Sequence, residues 1–167
     1  MLMAATVALL VLSSGCAGYR LGSQLPPGIN TVYVHIARNN TEEPLLETEV
    51  TNAVLAQLQR DGSLRVVGED QADSQMYLEI TDFQLEPLRF EAENRTRPNE
   101  YRLRIRANTT LVRGSDEVVM VRSGNVEGRA TFFLQGDLTA SKRSALPEAS
   151  RDLARHLVSA VTEAWPE

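Results

Sequence analysis

Arg102, Arg104 and Arg106 stand at alternate positions and are the residues whose type and spacing best suit chemistry in this chain. Each guanidinium can grip a phosphate or a carboxylate through two parallel hydrogen bonds. In a strand the three point to one side, about 7 Å apart at a rise of ~3.3 Å per residue. Such a row binds anions and does not break bonds. Arg95 and Arg97, in the charged stretch just upstream, add to the same supply. The plainer alternative is a solvated strand face where Glu79 and Glu127 pair with the row, each pair worth about a few tenths of a kcal/mol.

Other chemistry lacks raw material. The sequence holds two histidines, His35 and His156, and a single cysteine, Cys16. That leaves almost nothing for a nucleophile–base arrangement. There is no Gly-x-x-x-x-Gly-Lys-Ser/Thr loop, no His-Glu-x-x-His, no Gly-x-Ser-x-Gly elbow and no cysteine pair for zinc. The Asn-x-Ser/Thr triplets at Asn39, Asn94 and Asn108 read as chance matches. An enzyme is not expected, nor a cofactor or a metal site; His35 and His156 are read as packing or solvent-facing residues.

Cys16 has a context of its own. Met1–Leu12 is small and apolar with no charged side chain, and Ser13, Ser14 and Gly15 precede the thiol. A dozen residues span only about 18 Å as a helix, short of the ~30 Å core of a bilayer. The run suits an export signal with a small-residue cleavage site. A lone cysteine directly after it resembles a bacterial lipobox, which implies a thiol that receives a diacylglycerol and becomes the first residue of the mature chain. Ser13 stands where the lipobox usually carries an apolar residue, and the leader has no Lys or Arg. Acyl chains contribute about 0.8 kcal/mol per buried CH₂, so a lipidated Cys16 would hold the protein at a membrane. An exported protein with one buried thiol is the alternative.

Composition bounds the rest. An apolar fraction of 43% and a charged fraction of 23% are ordinary for a folded domain. A net charge of −5 argues against nucleic-acid binding, which wants a basic footprint. The division expected is 1–15 as signal peptide, 16–28 as lipidated N-terminus and tether, and 29–167 as one domain.

The elements that must carry the row follow from periodicity. Thr31–Ala37 alternates and is β-branched, a strand. Leu46, Val50, Ala53, Val54 and Leu58 recur at helical spacing after a turn at Asn39–Pro44, and Asp61-Gly62 closes that helix. Leu64–Val67 is a short strand. Met76, Leu78 and Ile80 alternate, but Phe83 and Leu85 have the opposite parity, which predicts a bulge near Asp82. Pro87 ends pairing or marks an edge. Arg89–Asn99 reads as a loop, and Tyr101–Asn108 is the clearest strand, with Tyr101, Leu103, Ile105 and Ala107 opposite the arginines. A turn at Arg113–Asp116 leads to a strand kinked at Ser123-Gly124. Phe133–Ser144 reads as a loop, and a last helix carries Leu146, Leu153, Leu157, Ala160 and Ala164, with Pro147 in its first turn or kinking an earlier start. The economical assembly is an α+β fold: a single four-stranded mixed, mostly antiparallel sheet with two α-helices packed on one face.

Several stretches together resemble the LptE family of outer-membrane lipopolysaccharide-assembly lipoproteins. They are Cys16-Ala-Gly-Tyr-Arg-Leu21, Leu25-Pro-Pro-Gly-Ile29, Asn39-Asn-Thr41, Gln59-Arg-Asp-Gly-Ser-Leu-Arg-Val-Val67, Glu100-Tyr-Arg-Leu103 and Gly136-Asp-Leu138. Ala17 is an extra residue relative to the family's Cys-Gly-aromatic opening. The resemblance implies two helices on a four-stranded sheet, an outer-membrane location on the periplasmic side, and a partner: an LptD-like outer-membrane β-barrel that the protein plugs and helps assemble. It also implies lipopolysaccharide as ligand, with Arg102, Arg104, Arg106, Arg95 and Arg97 as candidates to touch lipid or barrel. On that reading, reversing the three strand arginines to glutamate weakens binding and leaves unfolding nearly unchanged. A pilotin-type accessory lipoprotein of another envelope complex would share the anchor and the α+β domain and accompany a different barrel or ring. A free periplasmic enzyme or solute binder would need a deep pocket with convergent polar groups and would lack lipid.

Overall fold

The structure, a computed structural model, describes residues 25–90 and 98–165. Cys16, the leader, and Arg95 and Arg97 therefore lie outside the described residues. In chain order the elements are β1 (Thr31–Val34), β2 (Arg38–Asn39), α1 (Leu46–Asp61), β3 (Arg65–Val66), a 3₁₀ turn (Glu69–Gln71), β4 (Ser74–Phe90), β5 (Pro98–Arg113), β6 (Val119–Phe133) and α2 (Leu138–Thr162). One mixed sheet runs β3-β1-β4-β5-β6, with β2 also on β4. The three long strands are antiparallel; β1 pairs parallel with β3 and β4, and β2 parallel with β4.

The expected four strands are thus too few: the short strand read at Leu64–Val67 joins the sheet as β3, and the strand read as Thr31–Ala37 stops at Val34, with a separate β2 beyond it at Arg38–Asn39. That break has a cause. The Ala37 N–H turns away from β4 and donates to Thr51 Oγ1 at 2.9 Å, so α1 takes the donor that a continuous strand would use. The segment rejoins β4 with Arg38 opposite Glu79.

Alternation in β5 buries Leu103, Ile105, Ala107, Thr109 and Leu111 on one face. Against them pack Met76, Leu78 and Ile80 of β4, Val50, Val54 and Leu58 of α1, and Leu153, Leu157 and Val161 of α2. Each fully buried aliphatic side chain contributes about 1.5–3 kcal/mol. Leu25, inside the span read as a tether, also packs on this core. The opposite face of the three long strands carries the arginine row and has no described element over it.

The start of each helix departs from expectation: the sequence places the acidic residues and proline of Asn39–Pro44 in the first turn of the first helix, and starts the last helix near Leu146. Glu42, Glu43 and Pro44 lie ahead of α1, and Glu47 and Glu49 occupy its first turn. Gly62 closes α1 as expected, at φ 77° with its N–H donating to Leu58 O at 3.0 Å. At the other end Leu45 sits at φ 64°, a left-handed conformation that costs a leucine about 1–2 kcal/mol, and its side chain is 72% exposed. Leu45→Gly should therefore raise stability by about 1 kcal/mol, read by urea denaturation, since no packing is lost and the strain is relieved. The last helix begins at Leu138, well inside the span expected to be a loop. Asp137 caps it by accepting from the Ala140 N–H at 2.9 Å, and Pro147 lies within it.

α2 also settles the free edge of β6. The Arg129 N–H, pointing away from β5, donates to Asp152 Oδ2 at 2.9 Å, and the Glu127 carbonyl accepts from His156 Nδ1 at 2.8 Å. Two side chains of one helix thus satisfy backbone groups that would otherwise invite another strand.

Candidate functional site

The row lies on the sheet face that no described element covers. β5 places Arg102, Arg104 and Arg106 there by simple alternation; what stands opposite them is decided by the bulge. Pairing between β4 and β5 shifts between Ile80 and Asp82, as expected from the parity change. The shift re-phases β4 so that Asp82, Gln84 and Glu86 stand opposite Arg106, Arg104 and Arg102. On the other side Glu127, Arg129 and Thr131 of β6 face the same three.

The arginines are not equivalent. Arg106 donates from Nε to Glu127 at 2.9 Å and approaches Asp82 at 3.5 Å. Arg104 donates to Gln84 at 2.9 Å and pairs with Glu86 across the diagonal, while its buried Nε has no partner. Because Glu86 is engaged with Arg104, Arg102 is left with no hydrogen bond or ion pair among the described residues. Arg129 reaches back to Glu127. Burial raises the pKa of the Glu127 carboxyl, but hydrogen bonds from Arg129 and Arg106 and their charges outweigh it and hold the group below its ordinary 4.5. Glu79, which the plainer alternative paired with the row, instead accepts from Asn40 Nδ2 at 2.7 Å and Asn108 Nδ2 at 3.4 Å.

The face therefore divides. Arg106 and most of Arg104 belong to an ion-pair ladder across three strands, with Glu127, which the sequence already set against the row, and with Asp82, Glu86 and Arg129, three residues that alternation alone did not select. Arg102 keeps its donors. Further along β4, His35 forms an aromatic group: its ring stacks on Tyr77 at 4.3 Å, meets Tyr33 edge-on at 4.8 Å, and Nε2 bonds Gln75 Oε1 at 3.0 Å. Among the described residues no set of His, Cys, Asp and Glu could hold a metal, and no helix is long and apolar enough to cross a membrane.

The family model for lipopolysaccharide assembly, LptE, matches residues 29–161, nearly the whole of the domain just described. The chain belongs to the LptE family. That makes it an envelope-associated lipoprotein of the lipopolysaccharide-assembly class. No curated protein matches the chain significantly. Among solved structures, a Xanthomonas campestris protein is 12% identical with a TM-score of 0.59, over 87% of this chain and 90% of that one. A Chlamydia trachomatis protein is 10% identical with a TM-score of 0.54, over 80% and 96%. A Caulobacter crescentus protein is 16% identical with a TM-score of 0.52, over 80% and 90%. At such identities these likenesses show that the LptE-type fold is shared, and nothing further.

Proposed function

We propose that this LptE-family protein is anchored to the periplasmic side of the outer membrane by acyl chains on Cys16 and catalyses no reaction. Its role is to plug and help assemble an LptD-type β-barrel translocon and to assist delivery of lipopolysaccharide to the outer leaflet. The observation that supports this best is the face of three long strands that no described element covers, with Arg102 on it making no hydrogen bond or ion pair among the described residues. A sheet face of that length suits a large concave partner, and the Arg102 guanidinium suits a phosphate or carboxylate brought by lipid or barrel wall.

The geometry also selects the variant. Reversing all three arginines would set glutamates at 104 and 106 beside Glu86, Asp82 and Glu127, so unfolding would not stay unchanged as expected from sequence. Arg102→Glu avoids this. In Arg102→Glu, recovery of the barrel and of lipopolysaccharide with the protein, after gentle detergent extraction of outer membranes, should fall about tenfold, the worth of one charge-assisted contact. Its unfolding midpoint should stay within about 0.5 kcal/mol of wild type. Undiminished recovery rejects the assignment of Arg102, and recovery with a different barrel or ring places the protein in another envelope complex.

A further inference from the structure

A second group of arginines lines a cleft of about 370 Å³ where the last turn of α1, β6 and the middle of α2 meet. Its walls are Arg60, Arg129, Arg151, Arg155, Glu148 and Asp152. Two of these cations are spoken for. Arg155 pairs with Asp152 and Arg129 with Glu127. Arg60 and Arg151 are held differently. Each donates only from Nε to a carbonyl one turn back in its own helix, to Ala56 O and Pro147 O, both at 3.1 Å. Their Nη pairs, the end of a guanidinium that grips an oxyanion at two points, have no partner among the described residues.

The carboxylates do not cancel this. Asp152 is committed to the Arg129 N–H and to Arg155. Burial raises its pKa, but these bonds hold it below its ordinary 3.8, so it stays ionised and fixed. That leaves Glu148 as the one carboxylate in the lining for the two guanidinium groups without an ion pair among the described residues, Arg60 and Arg151. In a chain of net charge −5, a concave site of opposite sign concentrates anions where the rest of the surface repels them.

We propose that this cleft binds a phosphate monoester or diphosphate group, gripped end-on by Arg60 and Arg151 with Arg129 and Arg155 as flanking charge. It is separate from the sheet face and does not depend on the role given to Arg102. Two sources share the chemistry: a soluble phosphate compound and the headgroup of a phosphorylated lipid.

The test uses the full-length protein in zwitterionic detergent micelles, with arginine side-chain N–H resonances as the readout. One arm adds inorganic pyrophosphate; the other dopes the micelles with phosphatidic acid. The Arg60 and Arg151 resonances should shift saturably in at least one arm, and the arm that responds names the source. Arg60→Gln with Arg151→Gln should weaken the response about tenfold or more. Both side chains are exposed and carry no ion pair, so the variant folds. Arg122→Gln, an exposed arginine of β6 outside the cleft, and Arg102→Glu should leave the response unchanged. No saturable shift in either arm overturns the proposal, as does an equal loss in Arg122→Gln, which would mean diffuse charge rather than a site. An intact cleft response with lost barrel recovery in Arg102→Glu keeps this inference apart from the functional reading.

Discussion

Gly128→Ala is expected to destabilise the domain by about 3 kcal/mol, lowering Tm by about 10 °C in a domain of this size. Gly128 is on the buried face of β6, opposite Ile105, where α2 crosses. A Cβ built there would come within 2.5 Å of the Ala149 carbonyl oxygen and closer still to Leu153. The obstacle is the backbone of a helix, so no rotamer change relieves it. α2 must lift off β6, and the bonds from Asp152 to Arg129 and from His156 to Glu127 would go with it. Gly68 is the control: at φ −67° with nothing within 4 Å of a Cβ, Gly68→Ala should stay within about 0.5 kcal/mol of wild type. Equal effects of the two substitutions, compared by urea denaturation, would mean that α2 is not seated as described.

The contact at Gly128 shows why some of the fold was legible in the sequence and some was not. Period-two alternation named the buried face of β5, and the parity change at Phe83 announced the bulge, because both are local. Gly62 and Pro87 were readable as a cap and an edge for the same reason; β4 has no described strand on its other side beyond Ile80. The start of α2 was not readable. Its first turns bury Ser141 and Ala145, small residues with no apolar stripe, chosen by how closely the helix approaches the sheet. Pro147 then suggested a beginning where there is an interior. β2, two residues long, exists through parallel pairing and leaves no periodic trace, whereas β3 was readable as the short strand Leu64–Val67 and only its place in the sheet was not. At the candidate site, alternation found Arg102, Arg104 and Arg106 but could not rank them. The ranking comes from the bulge, which brings Asp82 and Glu86 across from the row, and from the diagonal reach of Glu86 to Arg104. The basic cleft was invisible because its four arginines come from three elements, and Arg60 of α1 is far in sequence from the three on β6 and α2.

Asp73→Asn should cost about 2 kcal/mol at neutral pH, and the loss should fade in acid. The Asp73 carboxylate accepts from the Asn30 N–H and the Thr31 N–H, both at 3.0 Å, and from Thr31 Oγ1 at 2.8 Å. Its own N–H donates to Thr31 Oγ1 at 2.8 Å. One side chain thereby pins the start of β1 to the start of β4, alongside the buried bond that Ser74 Oγ donates to the Thr31 carbonyl at 2.8 Å. The bond from the Asn30 N–H is the largest cause, followed by the Thr31 hydroxyl; against some burial they hold the carboxyl below its ordinary 3.8. A carboxyl lowered by folding binds fewer protons in the native state than in the unfolded one. Its contribution is therefore complete above 3.8 and is lost as pH falls through the lower folded value. The difference in unfolding free energy between wild type and Asp73→Asn, measured by urea titration from neutral pH downward, should stay flat and then shrink below the ordinary carboxyl range. A difference that keeps its neutral size in strong acid would mean the asparagine fails for shape rather than charge, and the clamp at Thr31 would have to be assigned to packing.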